Sequence, residues 1–212
     1  MGNLIGPHIH AYLHHPLFSS GEAMLYYTLE HLLYTGAITM DHSQVEVGHG
    51  DHHTVMRLFL SRAADPATLP APEAFVLALF PDGRALSLAD VRRQLDTAVP
   101  ETHAFKTGPM QEHLLKEGLL TSTHADTPQG RDAYHNVARL LHDFEHEEEH
   151  LLANAAALQA RLKELGANVV LLPWRLRDKL KESPHIDELT KTLLIIQTFL
   201  ESGGYYHTRM MG

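Results

Sequence analysis

Leu29–Thr39 reads LEHLLYTGAIT, and Gln111–Thr121 reads QEHLLKEGLLT. At an offset of 82 residues, six of the eleven positions are identical: Glu, His, Leu, Leu, Gly and Thr. A string of that length recurring in one chain marks two copies of a supersecondary unit. Ahead of the first copy, Ser19 and Glu22 spell a Ser-x-x-Glu capping box. Leu25, Leu29, Leu32 and Leu33 then recur at helical spacing, and Gly36 suits a left-handed helix end. Ala37–Met40 and Gln44–Val47 flank Asp41-His42-Ser43, a turn-rich tripeptide, which predicts a short β-hairpin.

The second copy is fuller. A Pro-rich linker, Pro66–Pro72, leads into an apolar helix over Pro72–Phe80. Ser87-Leu88-Ala89-Asp90 caps a second helix, with Val91 and Leu95 on one face. Pro109–Glu117 is a third, and Gly118-Leu119-Leu120 opens a strand. Thr127-Pro128 starts the next helix as an N-cap followed by Pro at the first helical position. The fold class expected is therefore α+β, mainly helical with small hairpins. The stretch LLKEGLLTSTHADTPQGRDAY, Leu114–Tyr134, resembles the end of winged-helix proteins of the MarR and PadR type. The resemblance covers about residues 73–141 and more loosely 10–50. The chain also resembles bacterial proteins with two such modules in tandem. This implies a first module over 1–65, a second over 71–135, and a long helix with a helical tail over 128–212. It carries over no catalytic residues.

From Pro128 the pattern predicts one helix to Leu165, about 57 Å long at the usual rise. Val137, Leu141, Phe144, Glu148, Leu151, Ala155, Leu158, Leu162 and Leu165 form a heptad stripe with one polar member. The stripe must be covered by a second chain or by a C-terminal helix over Ile186–Leu200. By analogy with PadR-like proteins, the expectation is a homodimer through residues 137–200. Pro173–Lys181 is cationic and holds the only Trp. Its expected role is packing by Trp174, Leu176 and Leu180, with the cations facing the acidic run Asp143–Glu149.

Charge narrows the partners. The 212 residues carry a formal net charge of −9, with 18 histidines and no cysteine. Absent cysteine excludes disulfides, thiolate catalysis and thiolate metal sites. Residues 1–56 hold five acids, nine histidines and neither Lys nor Arg. Phosphate binding depends on Lys and Arg, so nucleic acid is disfavoured. No export signal, lipidation motif or 18-residue apolar run is visible, and the expected location is cytoplasmic.

The histidines are the candidate metal ligands, for Zn, Ni, Cu or Fe. His8, His10 and His14 near the N-terminus pair in principle with His49 and His53 after the first hairpin. His142, His146 and His150 form an i, i+4, i+8 ladder, and His146–His150 formally spells His-Glu-x-x-His. The repeated Glu30-His31 and Glu112-His113 read as histidines suited to a helix C-terminus. No nucleotide loop, nucleophile elbow or dinucleotide fingerprint occurs. The leading expectation is a non-enzymatic scaffold that binds a protein or peptide through a strand edge or the groove beside a third helix. The alternatives are a dimeric DNA-binding regulator, with a basic face from Arg84, Arg92, Arg93 and Lys106, and a histidine-ligated metal protein or metalloenzyme.

Overall fold

Helix α2, Gly21–Tyr34, is apolar almost all round, and the chain folds about it. A helix without a polar face must be covered on every side. The computed structural model describes residues 4–14, 20–47, 53–98 and 102–202, with backbone only at 45–47, 53–56 and 102. Around α2 lie α1 (Pro7–His14), α3 (Ala71–Leu77), α11 (Glu188–Glu201) and a 3₁₀ segment, Gly166–Leu171. Met24, Leu25, Leu29, Leu32 and Leu33 of α2 are buried in one hydrophobic core with residues from both halves of the chain. The cap falls one residue later than the spacing predicts. Ser20 Oγ accepts from Ala23 N at 3.0 Å. Glu22 instead accepts from the Tyr26 hydroxyl and lies 3.5 Å from Arg92.

The two repeated segments end alike. Thr35 N donates to His31 O at 2.9 Å, and Glu117 N to His113 O at 2.9 Å. Gly36 and Gly118 follow with φ of 78° and 70°, a region costly for any residue with a Cβ. Beyond the glycines the segments diverge. After Gly36 runs a ten-residue strand β1, Ile38–Val47, antiparallel to β2, His53–Arg62, from Ile38↔Arg62 to Val47↔His53. The turn expected at Asp41-His42-Ser43 is thus absent, because those residues are mid-strand and opposite Phe59, Leu58 and Arg57. After Gly118 there is only a bridge between Leu120 and Asp126.

A third strand, β3 (Leu86–Ser87), precedes α4 (Leu88–Ala98) and pairs with β2 at Phe59↔Ser87 and Leu60↔Leu86. The sheet, ordered β1-β2-β3, therefore crosses the linker between the two expected modules. Ser87 caps α4 as its sequence predicts, with Asp90 N donating to Ser87 Oγ at 3.2 Å. The expected third helix begins early, as α5 (Thr102–Phe105). It passes through a wide π turn at Lys106–Met110, where Pro109 cannot donate, and ends in α6 (Gln111–Lys116).

The expected 57 Å helix is three helices: α7 (Pro128–His146), α8 (Glu148–Ala153) and α9 (Ala155–Leu165). Asn154 ends one and caps the next, its Oδ1 accepting from Ala157 N at 3.1 Å. An Asn side chain competes with the helix backbone in this way, which heptad spacing does not register. Breaking the rod lets the stripe turn inward. Val137, Phe144, Leu151, Leu158, Leu162 and Leu165 are all buried within this one chain. The polar member, Glu148, meets Arg175 at 3.0 Å and Lys179 at 2.5 Å from α10, Trp174–Glu182. Leu176 and Leu180 pack as expected, but Trp174 is 71% exposed. No helix among the described residues is long and apolar enough to cross a membrane.

Candidate functional site

Two places gather polar groups or unmet backbone capacity. The first lies between α1, α2, α3 and α6. Pro7 starts α1, and the helix turns His8 wholly inward. There His8 Nε2 stands 3.3 Å from Glu73 Oε1 of α3. That distance suits an ion pair, but the ring N–H is poorly aligned with the oxygen. His31 of α2 brings its Nε2 to 4.0 Å from the same Oε1, and the two imidazole centroids are 5.1 Å apart. His113 of α6 lies in the field of Glu73 and His8. Of the repeated histidines, His31 thus stands beside a buried carboxylate and His113 lies in its field, a placement that their reading as helix-end cations missed. The available signal was that Glu73 is the only charge in its apolar helix.

This cluster is short of partners. His8 Nδ1, His31 Nδ1 and Glu73 Oε2 are buried without a hydrogen bond among the described residues. Burial, with His8 alongside, lowers the His31 pKa to about 4, against the pull of Glu73. Burial also lowers His113, again opposed by Glu73. Burial alone would raise Glu73, but the contact and charge of His8, helped by its helix backbone and His31, take it below the ordinary value. Next to the cluster an open groove of about 480 Å³ runs between Ala67–Ala71 and Glu112, His113, Lys116 and Glu117.

The other candidate ligands sit apart. His10 stacks on Tyr134 of α7, with centroids 4.8 Å apart and planes at 12°. His14 is 5.5 Å from the same ring. Burial, then His14, lowers the His10 pKa to about 4. His49 lies outside the described residues, and His53 is described only as backbone of β2. The expected meeting of His8, His10 and His14 with His49 and His53 therefore lies outside the described side chains. In the ladder, His142, His146 and His150 are exposed. The first two rings are 4.0 Å apart, and His146 Nδ1 is 3.1 Å from His142 O. The break at Glu147 separates His150 from them. Glu147, in the general-base place of the His-Glu-x-x-His reading, pairs with Arg161 at 3.0 Å. Among the described residues no group of three or more His, Asp or Glu is disposed to hold a metal ion.

The second place is the outer edge of β1. Ala63 N donates to Ala37 O at 2.9 Å, which fixes the alternation of the ladder. Odd-numbered β1 residues exchange hydrogen bonds with β2, and even-numbered ones aim N–H and C=O at the free edge. Met40, His42 and Gln44 are in the second set. Asp41, His42 and Gln44 are exposed, and no described strand pairs with this edge. β1 contains Asp41 and Glu46 and no cation. Of the arginines expected to make a basic face, Arg92 pairs with Asp96 at 2.6 Å and Glu22 at 3.5 Å. Arg93 pairs with Asp90 at 3.3 Å. No family model, curated protein or solved structure matches the chain.

Proposed function

We propose that this chain is a non-enzymatic protein-binding module that takes an extended segment of a partner along β1. The observation that carries this reading is the ten-residue strand paired, among the described residues, on one side only. A row of unpaired edge amides and carbonyls is a template for strand addition. Backbone hydrogen bonds supply affinity there, and alternate side chains supply selectivity. Asp41, and an N-terminal quarter free of Lys and Arg, favour a segment carrying Lys or Arg. The scaffold beneath it suits winged-helix architecture in a rearranged order. A winged helix pairs a short strand between its first two helices with a wing hairpin. Here β3, between α3 and α4, pairs with a hairpin that precedes those helices. The paired arginines weaken the DNA-regulator alternative, because their charge is already met by carboxylates.

The test is selection of random displayed peptides on the tag-free protein, repeated on Gln44→Pro. Proline at position 44 removes an edge-directed N–H and leaves the β1–β2 ladder its own bonds. The expected result is enrichment of extended, Lys- or Arg-bearing peptides that lose binding to the variant, while its thermal transition matches wild type. Selected peptides indifferent to Gln44→Pro, or no enrichment on the wild type, would overturn the reading.

A further inference from the structure

Helix α1 is held down by imidazoles. Its inward face is His8, Ile9, His10, Tyr12 and Leu13, all buried. The groups facing it can be named element by element. From α2 comes His31, from α3 Glu73, and from α6 His113 with Gln111, whose Nε2 donates to Tyr12 Oη at 2.8 Å. From α7 comes Tyr134, with His135 against its ring. Asp126 reaches Tyr12 only through its field. The 3₁₀ segment offers neutral Asn168, whose Nδ2 donates to Ile5 O at 3.1 Å just ahead of the helix. His14 belongs to α1 itself and sits 6.3 Å from His10.

The inventory is lopsided. His8 and His31 crowd the one carboxylate of Glu73, His113 lies in the field of Glu73 and of Glu117 with Lys116 opposing, and His10 faces a neutral ring. A single buried carboxylate balances a single positive charge. Space is tight as well. A Cβ on Gly6, at the start of the segment, would fall 2.7 Å from His8 Cε1 and 3.0 Å from His31 Nδ1. The wholly buried His8 ring thus has little room to turn towards water while α1 stays docked, whereas the His31 side chain is 24% exposed.

We propose that α1 is a proton-released latch, docked while His10 on its inward face and His31 beneath it are neutral, and expelled from the α2–α3–α7 surface when they gain protons that Glu73 cannot balance. The sign follows from His10 and His31, whose pKa values are lowered from 6.5 to about 4 when docked. Docking is complete above the undocked value and is lost as pH falls below it. Each such group weakens docking by about tenfold per pH unit between those limits, or about a hundredfold for the two together. What is uncovered is the apolar side of α2 that Ile9, Tyr12 and Leu13 had shielded. This inference is independent of partner binding at β1.

Hydrogen exchange of the full chain between pH 7.5 and 4.5, corrected for intrinsic rates, tests the latch. Residues 4–14 are expected to lose protection first, while α11 keeps its own. His31→Gln should shift the release to lower pH by removing one titrating ring. Glu73→Gln should shift it to higher pH by removing the counter-charge. Loss of protection in α1 only together with α11, or release at the same pH in wild type and both variants, would overturn the proposal.

Discussion

Gly130→Ala separates what helix propensity predicts from what this fold predicts. Within a helix, Ala is ordinarily favoured over Gly by about 1 kcal/mol. Gly130 lies in the first turn of α7, against the chain leaving α6. A Cβ there would fall 2.2 Å from Leu119 O and 3.1 Å from Leu119 C. Even a close C···O contact is about 3.3 Å, so the overlap is roughly 1 Å. The obstacle is backbone, and no rotamer relieves it. Leu119 is itself fixed, its N donating to Leu114 O at 2.9 Å and its O accepting from Thr127 N at 3.1 Å. The start of α7 must move instead. That strains Gly130 N→Thr127 Oγ1 at 3.0 Å and Thr127 Oγ1→Gly118 O at 2.7 Å. Overpacking costs about 1–3 kcal/mol and a weakened hydrogen bond about 1 kcal/mol, against the propensity gain. The expected net loss is about 1–3 kcal/mol, lowering a urea midpoint by about 1 M at typical slopes. Far-UV circular dichroism across a urea series measures it. A midpoint equal to or above wild type would refute the close packing of α7 on Leu119.

Other substitutions probe the buried charges. Glu30 is fully buried with neither carboxylate oxygen hydrogen-bonded among the described residues, and burial pushes its pKa well above the ordinary value despite Arg177. A raised carboxyl costs stability as pH rises above its unfolded value of about 4.5, so Glu30→Gln should gain stability at pH 8 and flatten the alkaline limb of a denaturation series. His10 has the opposite sign. From pH 7.5 to 5 its lowered pKa should cost wild type about 2 kcal/mol, and His10→Phe, which keeps the Tyr134 stack, should recover most of that loss at pH 5. Glu148→Leu should change thermal stability by less than about 1 kcal/mol, because Arg175 and Lys179 are 61% and 50% exposed as side chains and can return to water.

Local chemistry was legible where one residue decides one bond. Thr127-Pro128 capped α7, Ser87 capped α4, and the glycines of the repeat closed α2 and α6. Periodicity misled where two local rules competed. The stripe through Glu148 has perfect heptad spacing, yet Asn154 stops the helix by bonding Ala157 N. Asp41-His42-Ser43 has turn composition, yet an exposed edge strand tolerates such residues when the ladder to β2 sets the register. The His–Glu cluster was not legible because its members come from four elements far apart in sequence. His8, His31 and Glu73 meet only when α1 and α3 close around α2, with His113 of α6 in their field. The repeat offered a clue, since it kept His31 and His113 at matching places, but only packing shows that His31 comes to 4.0 Å from Glu73 and that His113 lies in its field.

Hydrogen exchange across β1, with and without a peptide selected on the protein, reaches the functional proposal most directly. Strand addition predicts that the edge-directed amides of Met40, His42 and Gln44 gain protection when the peptide binds. The amides of Asp41 and Ser43, already bonded to β2, should change little. Protection confined to the groove between Ala67–Ala71 and Lys116, with Met40, His42 and Gln44 unchanged, would contradict it.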